Sequence, residues 1–464
     1  MNYRNMIMPA MVIAGLYGLG ATPASAVVDP FCGGTQPTSC VQMNAGGSSA
    51  ATPFMTQVPL NILDQAPTLP NHYVNAAIAS PSITSGKLHV WTGTRGGVAT
   101  IIRYSATGSS DGILKLQHPT TDARSIMHYL DHIASTCATG PTLMTRAADG
   151  KQWNEYTGCD TPIDLPETVG MNDVGGPTFH QTGPFGTSVL PLDDSMLTVT
   201  QAAIVPWQFI VGYNVKKDIG VPPAHNLVHA TNLGRTQIEA IFSRNVTDWR
   251  QVGLVTDVTT SGTPDATSPI SLCLRTAGSG SKAAFDATVM KDATETPFGS
   301  TVLTNSAAGV YFGTSTQDVQ DCMQGNSGNG RPAHTTGIGY VDADVSVISS
   351  GATPYYPIQL NGLWANDTSL SDPKINVKCG AYLYWAGERM NVRNYADSGI
   401  DGGSTTGPQH DLNTAFITSS SAAASIALMP AGAFWVAGSD MYVSKVNDAG
   451  PVLYTAGPHP CNTN

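Results

Sequence analysis

An α/β fold is predicted by two features of the sequence: β-type runs alternate with segments of helical period, and several of those runs end in Gly/Ser-rich loops that lead directly into a helix. The β-type runs are 88–91, 98–104, 209–213 and 271–274, each dense in β-branched, aromatic or other apolar residues. A first helix is predicted over 123–135, where Ile126, Met127, Leu130 and Ile133 fall on one face. A second covers Arg235–Phe242 and presents Ile238, Ile241 and Phe242. A third follows Ser279 through Ala283, Ala284, Phe285 and Val289. The run Tyr382-Leu383-Tyr384-Trp385 reads as core packing, with an aromatic ligand platform as the lesser alternative.

The N-terminus carries an export signature. Arg4, the apolar stretch 6–20 and the small-residue pattern Ala24-Ser25-Ala26 read as a secretory leader, residues 1–26, cut after Ala26. No later run reaches the roughly 18 apolar residues a membrane span needs. No Cys stands near the cut to carry a lipid, so the mature chain is expected free, periplasmic or secreted. All eight Cys, at 32, 40, 137, 159, 273, 322, 379 and 461, lie beyond the leader, and an even number in an exported chain favours disulfides. Pairing them in order along the chain is one of many arrangements open at this point. None forms a C-x-x-C pair, which gives zinc or thioredoxin-type chemistry little support.

Charged residues are only 12% of the 464 and the net charge is −11. That balance disfavours a nucleic-acid partner, yet a single small anion can still be held by backbone N–H groups at helix starts. Residues 27–70, rich in Gly, Pro, Ser and Thr, are expected to be an irregular entry segment, with order beginning near Asn71.

Three junctions carry a shared chemistry. The run 98–104 leads into Ser105-Ala106-Thr107-Gly108-Ser109-Ser110-Asp111-Gly112, where small residues before a helix leave N–H groups for an oxyanion. The second is Leu274-Arg275-Thr276-Ala277-Gly278-Ser279-Gly280-Ser281-Lys282: the glycines admit close approach, the serines add hydroxyl donors, and Arg275 offers a planar two-oxygen fork. The third, Gly170-Met171-Asn172-Asp173, sets a carboxylate at the end of a β-type run.

With these three junctions, the chain resembles the phosphate-binding proteins of bacterial phosphate ABC transporters, which have the two-lobed type 2 periplasmic-binding fold. The family's Tyr-x-x-x-Gly-Ser-Ser-x-Gly loop is matched by Tyr104 through Gly112, its Gly-Ala-Ser-Asp element in outline by Gly170 through Asp173, and its Arg-x-x-Gly-Ser-Gly-Thr loop by Arg275 through Ser281, with Ser for Thr. The segment 233–249, with Ile241-Phe242-Ser243 and Thr247-Asp248-Trp249, and the run Gly337-Ile338-Gly339-Tyr340-Val341 resemble two further family segments in the same order. The resemblance implies ligand contacts at Ser109, Asp173, Arg275, Ser279, Gly280 and Ser281. A first contact loop near the N-terminus has its candidate in Ala79-Ser80, hence Ser80. Ala277 stands where the family often has Asp, and an insertion separates Leu116 from Gly170.

The resemblance further implies a first lobe over 71–205 resumed at 345–464 with a C-terminal extension, and a second lobe over 206–344. The chain would cross near 205–214 and return near 340–346. It implies a monomeric, non-enzymatic receptor for inorganic phosphate or a similar oxyanion, without metal or cofactor, that delivers to an inner-membrane ABC permease. Two other chemistries stand beside this. Gly108-Ser109-Ser110-Asp111-Gly112 fits the nucleophile elbow of a hydrolase acting through Ser110 on phosphate esters, although no oxyanion-hole motif accompanies it. His128 and His132, four apart on the predicted helix, could share a metal but lack a third ligand.

Overall fold

The computed structural model describes residues 28–29, 31–32, 34–35, 40–75, 88–179, 181–182, 188–221, 224–291, 309–325, 332–343, 355–395, 406–428, 435–455 and 460–462. The leader at 1–26 and Ser80 lie outside the described residues.

Helices pack on one large mixed sheet. Its strands run, in spatial order, Val310–Gly313, Ser271–Arg275, Gly337–Asp342, Leu197–Gly212, Trp385–Arg393, Val169–Asn172, Val41–Gly47, Val98–Ala106, Leu88–Arg95, Asn71–Asn75, Gln152–Cys159 and Thr139–Thr145. Tyr355–Leu360 joins alongside Leu197–Gly212 and pairs with Asn232–Leu233. The long strand Leu197–Gly212 divides the sheet in two. Its first part pairs antiparallel with Trp385–Arg393, ending at Pro206↔Trp385, and its last part pairs with Gly337–Asp342 and Tyr355–Leu360. Partners change at Pro206, which has no N–H to offer a ladder but whose carbonyl accepts from the Ala343 N–H. One buried β-branched and aromatic run, Ile204 through Val211, is therefore core to both halves.

Helix Arg235–Phe242 forms where expected, with Ile238, Ile241 and Phe242 buried. Helix Gly280–Thr288 starts at a Ser279 cap and is buried along its whole length, including the ion pair Lys282–Asp286 at 3.0 Å. Phe285 of this helix meets Phe242, Tyr340 and Phe209 at ring-centroid distances of 4.8, 5.1 and 5.8 Å, and Tyr384 lies 5.4 Å from Phe209. These rings form a stiff aromatic bed beneath the Arg275–Ser281 loop, and Tyr384 packs in the core as its sequence suggested.

Three expectations are corrected. Residues 27–70 are not irregular throughout: Val41–Gly47 is a central strand, parallel to Val98–Ala106 and Val169–Asn172, and the helices Thr52–Gln57 and Pro59–Ile62 follow it. The strand lacks an apolar run because Gln42 and Asn44 are buried in it, their side-chain oxygens accepting from Arg103 Nη1 at 2.8 and 3.3 Å. Residues 123–135 are not a helix. A 3-10 turn, Ala123–Ser125, leads into strand Ile126–Leu130, which pairs antiparallel with Pro162–Pro166. His128 is exposed on that strand against Asp164, and His132 falls in the turn beyond, so the two imidazoles do not share a helix face. Finally, the return expected near 340–346 comes later. Tyr355–Leu360 still pairs within the second half, and the chain rejoins the first half only with Trp385–Arg393.

Four disulfides join Cys32–Cys40, Cys137–Cys159, Cys273–Cys322 and Cys379–Cys461, the in-order pairing. No helix among the described residues is long and apolar enough to cross a membrane.

Candidate functional site

The strand ends of the two sheet halves face one another. On the first half, the parallel strands Val41–Gly47, Val98–Ala106 and Val169–Asn172 each finish in a small-residue loop. These loops are bound together: the Ser48 N–H donates to the Met171 carbonyl at 2.8 Å, and the Thr107 N–H donates to the Gly47 carbonyl at 3.0 Å. Gly47 is required here, since at φ +116° a Cβ would stand 2.2 Å from the Met171 carbonyl oxygen. Asp173 follows directly and is buried. Its carboxylate accepts from the Ser109 hydroxyl at 2.9 Å on one oxygen and from the Ser48 hydroxyl on the other. Tyr104 donates its hydroxyl to the Ser48 carbonyl, fixing that loop from below.

On the second half, Ser271–Arg275 ends in the loop that caps helix Gly280–Thr288. Buried Arg275 donates from Nη2 to the Thr314 carbonyl at 3.1 Å and from Nη1 to Thr316 Oγ1 at 3.3 Å and Ser281 Oγ at 3.4 Å. Its Nε is buried with no partner. Ser281 and Ser279 hydroxyls are 2.8 Å apart, and the Ser281 carbonyl accepts from Tyr384.

The halves meet at this point. Ser110 N–H donates to the Gly278 carbonyl at 3.1 Å across the divide. A Cβ on Gly280 would stand 2.3 Å from Asp173 Oδ2 and 2.5 Å from Ser109 Oγ. Ser109, Asp173, Arg275, Ser279, Gly280 and Ser281 are thus brought into one cluster. Ser80 lies outside the described residues. Among the described residues no histidine hydrogen-bonds Ser110, and no group of three His, Cys, Asp or Glu is placed to hold a metal.

Three further residues escaped the sequence reading. Ser48 occupies the first loop, and its signal was present as Gly46-Gly47-Ser48-Ser49-Ala50 ahead of Pro53, the same strand-loop-helix grammar as the other junctions. Glu388, on Trp385–Arg393, is fully buried beside Asp173 and Ser48 without a well-formed hydrogen bond to either. Burial and the adjacent Asp173 charge push its carboxyl well above the usual range. Asp342, at the end of Gly337–Asp342, accepts from Thr316 Oγ1 at 3.0 Å. Burial and Asp173 raise it, while Arg275 works in the opposite direction. Neither acid lies in a motif, so only the folded arrangement reveals them.

No family model and no curated protein matches the sequence. Solved structures similar to this chain include an ABC-type phosphate transport receptor from Vibrio cholerae, 13% identical, with TM-score 0.38 and coverage of 83% of this chain and 96% of that one. A phosphate-binding protein from Stenotrophomonas maltophilia is 11% identical, with TM-score 0.40 and coverage of 85% and 90%. A possible phosphate-binding protein from Planctomyces limnophilus is 11% identical, with TM-score 0.34 and coverage of 86% and 93%.

Proposed function

We propose that the chain is an extracytoplasmic solute-binding protein that captures inorganic phosphate between its two sheet halves, for delivery to an ABC-type permease. The observation that carries this reading is the convergence of Ser109 and Asp173 from one half with Gly280 and the Arg275–Ser281 loop from the other. Serine hydroxyls and backbone N–H groups suit a tetrahedral oxyanion, and the buried Arg275 guanidinium supplies a positive charge beside it. Asp173 supplies selection. Phosphate near neutral pH carries a proton that a carboxylate accepts, whereas sulfate carries none and meets an unpaired, repelling oxygen.

Titration calorimetry of the mature chain with phosphate, arsenate and sulfate tests this. Saturable one-to-one phosphate binding is expected, with sulfate weaker by at least about a hundredfold. Asp173→Asn is expected to narrow that gap. Equal affinity for phosphate and sulfate in the wild-type chain would remove Asp173 from the role given to it, and no phosphate binding would remove the function.

A further inference from the structure

The cluster contains more negative charge than an anion site can tolerate. Asp173 and Glu388 are buried around it, half-buried Asp342 stands beside them, and Arg275 is a cation set against the three. The β-register explains the closest approach: Asn172 pairs with Arg389 across the antiparallel strands, so Asp173 and Glu388 are the next residues across. On its other side Glu388 pairs with Ala203, which brings no charge. Several neighbouring ionisable groups among the described residues have partners of their own, although Arg389 still works to lower the proton affinity of Glu388. Arg389 holds Asp448 through two bonds of 3.1 and 3.0 Å. Lys282 pairs with Asp286 at 3.0 Å, and the Tyr104 hydroxyl donates to the Ser48 carbonyl. Asp342 shares Thr316 with Arg275. Two bare carboxylates side by side in a buried site repel strongly, and adding a phosphate would place a third anion against them.

We propose that the Asp173–Glu388 pair carries a single proton when the anion is bound, that this proton rests on Glu388, and that Glu388, kept as the neutral acid, sets the pH range over which the cleft holds its anion. The inference rests on the phosphate reading above and deepens it. With Glu388 neutral, Asp173 keeps its lone pairs for the serines and for the ligand's P–OH, and only one carboxylate faces the anion. When alkali removes the Glu388 proton, the second charge appears behind Asp173 and expels the ligand. The elevated proton affinity of Glu388 agrees with this geometry. The relevant pH is that at which Glu388 gives up this proton.

The test is inorganic phosphate binding by calorimetry on the mature chain from about pH 5.5 to about pH 9, for wild type, Glu388→Gln and Glu388→Met. Taking the ratio of wild-type to variant Kd cancels the ionisation of phosphate itself. The ratio is expected to be near one at the acid end and to grow by about tenfold per pH unit once the pair is deprotonated, the variant binding more tightly. Should Glu388→Gln fail to fold, Glu388→Met, which removes the same charge among apolar neighbours, gives the same expectation. A ratio that stays constant across the range, with phosphate still bound, overturns Glu388 as the group that sets the pH range and leaves the phosphate reading standing. Absence of phosphate binding by the wild type at every pH overturns both.

Discussion

Arg275 carries more of the expected affinity than any other single side chain of the cluster. The serines and backbone groups offer neutral hydrogen bonds, each contributing roughly 0.5–1.5 kcal/mol net, against about 1.5–3 for a charge-assisted one. Arg275 is also held from several sides, by the Thr314 carbonyl, Thr316 and Ser281, which reduces the ordering cost when a ligand arrives. Arg275→Ala is therefore expected to weaken phosphate by at least about tenfold to a hundredfold in a calorimetric titration. Arg275→Lys should recover part of the charge but not the fork, and fall between the two. An Ala variant with wild-type Kd would show that the guanidinium serves the frame around Asp342 rather than the anion.

At the scale of elements, affinity depends on how closely strand ends and helix starts approach. Gly280 begins the buried helix Gly280–Thr288 and lies against Asp173 and Ser109, with no room for a methyl group. Gly280→Ala is expected to weaken phosphate by about tenfold or more, since overpacking a tight contact costs about 1–3 kcal/mol. Calorimetry beside a thermal melt separates this from unfolding: an unchanged Kd would mean that the halves do not meet at Gly280 in the bound state. The Arg275–Ser281 and Tyr104–Gly112 loops were legible because local rules, a β-type run, Gly/Ser and a helix, suffice to describe them. Arg235–Phe242 was legible because its apolar residues Ile238, Ile241 and Phe242 keep helical period on one buried face. The Val41–Gly47 strand was not, because its alternation of Val41, Met43 and Ala45 with Gln42 and Asn44 spans only five residues inside a Gly/Ser/Thr-rich stretch, and a central parallel strand is more often marked by an apolar run. The 123–135 segment misled for a related reason. Met127, Tyr129 and Leu130 fit either period, and only pairing with Pro162–Pro166, more than 30 residues away, selects the strand. Glu388 and Asp342 belong to the same class, being brought to the cluster by long-range register alone.

Across the whole molecule, the disulfides divide into those that frame the cluster and those that only hold the fold. Cys273–Cys322 fastens strand Ser271–Arg275 to helix Thr316–Gln324, and the first residue of that helix receives Arg275 and donates to Asp342. Cys379–Cys461 ties the segment before Trp385–Arg393 to the far end of the chain and touches none of the anion-cluster residues. Their sequence separations are 49 and 82 residues, so chain entropy assigns them similar stabilisation, about 4 and about 4.5 kcal/mol. Removing either pair by Ala substitution should lower the urea midpoint by comparable amounts. Phosphate affinity should separate them: the Cys273→Ala/Cys322→Ala chain is expected to bind several-fold more weakly because Arg275 loses its fixed neighbour, whereas the Cys379→Ala/Cys461→Ala chain keeps the wild-type Kd. If the two double variants bind phosphate equally well, the rigidity of the Arg275 frame comes from the aromatic bed beneath helix Gly280–Thr288 and not from the covalent link.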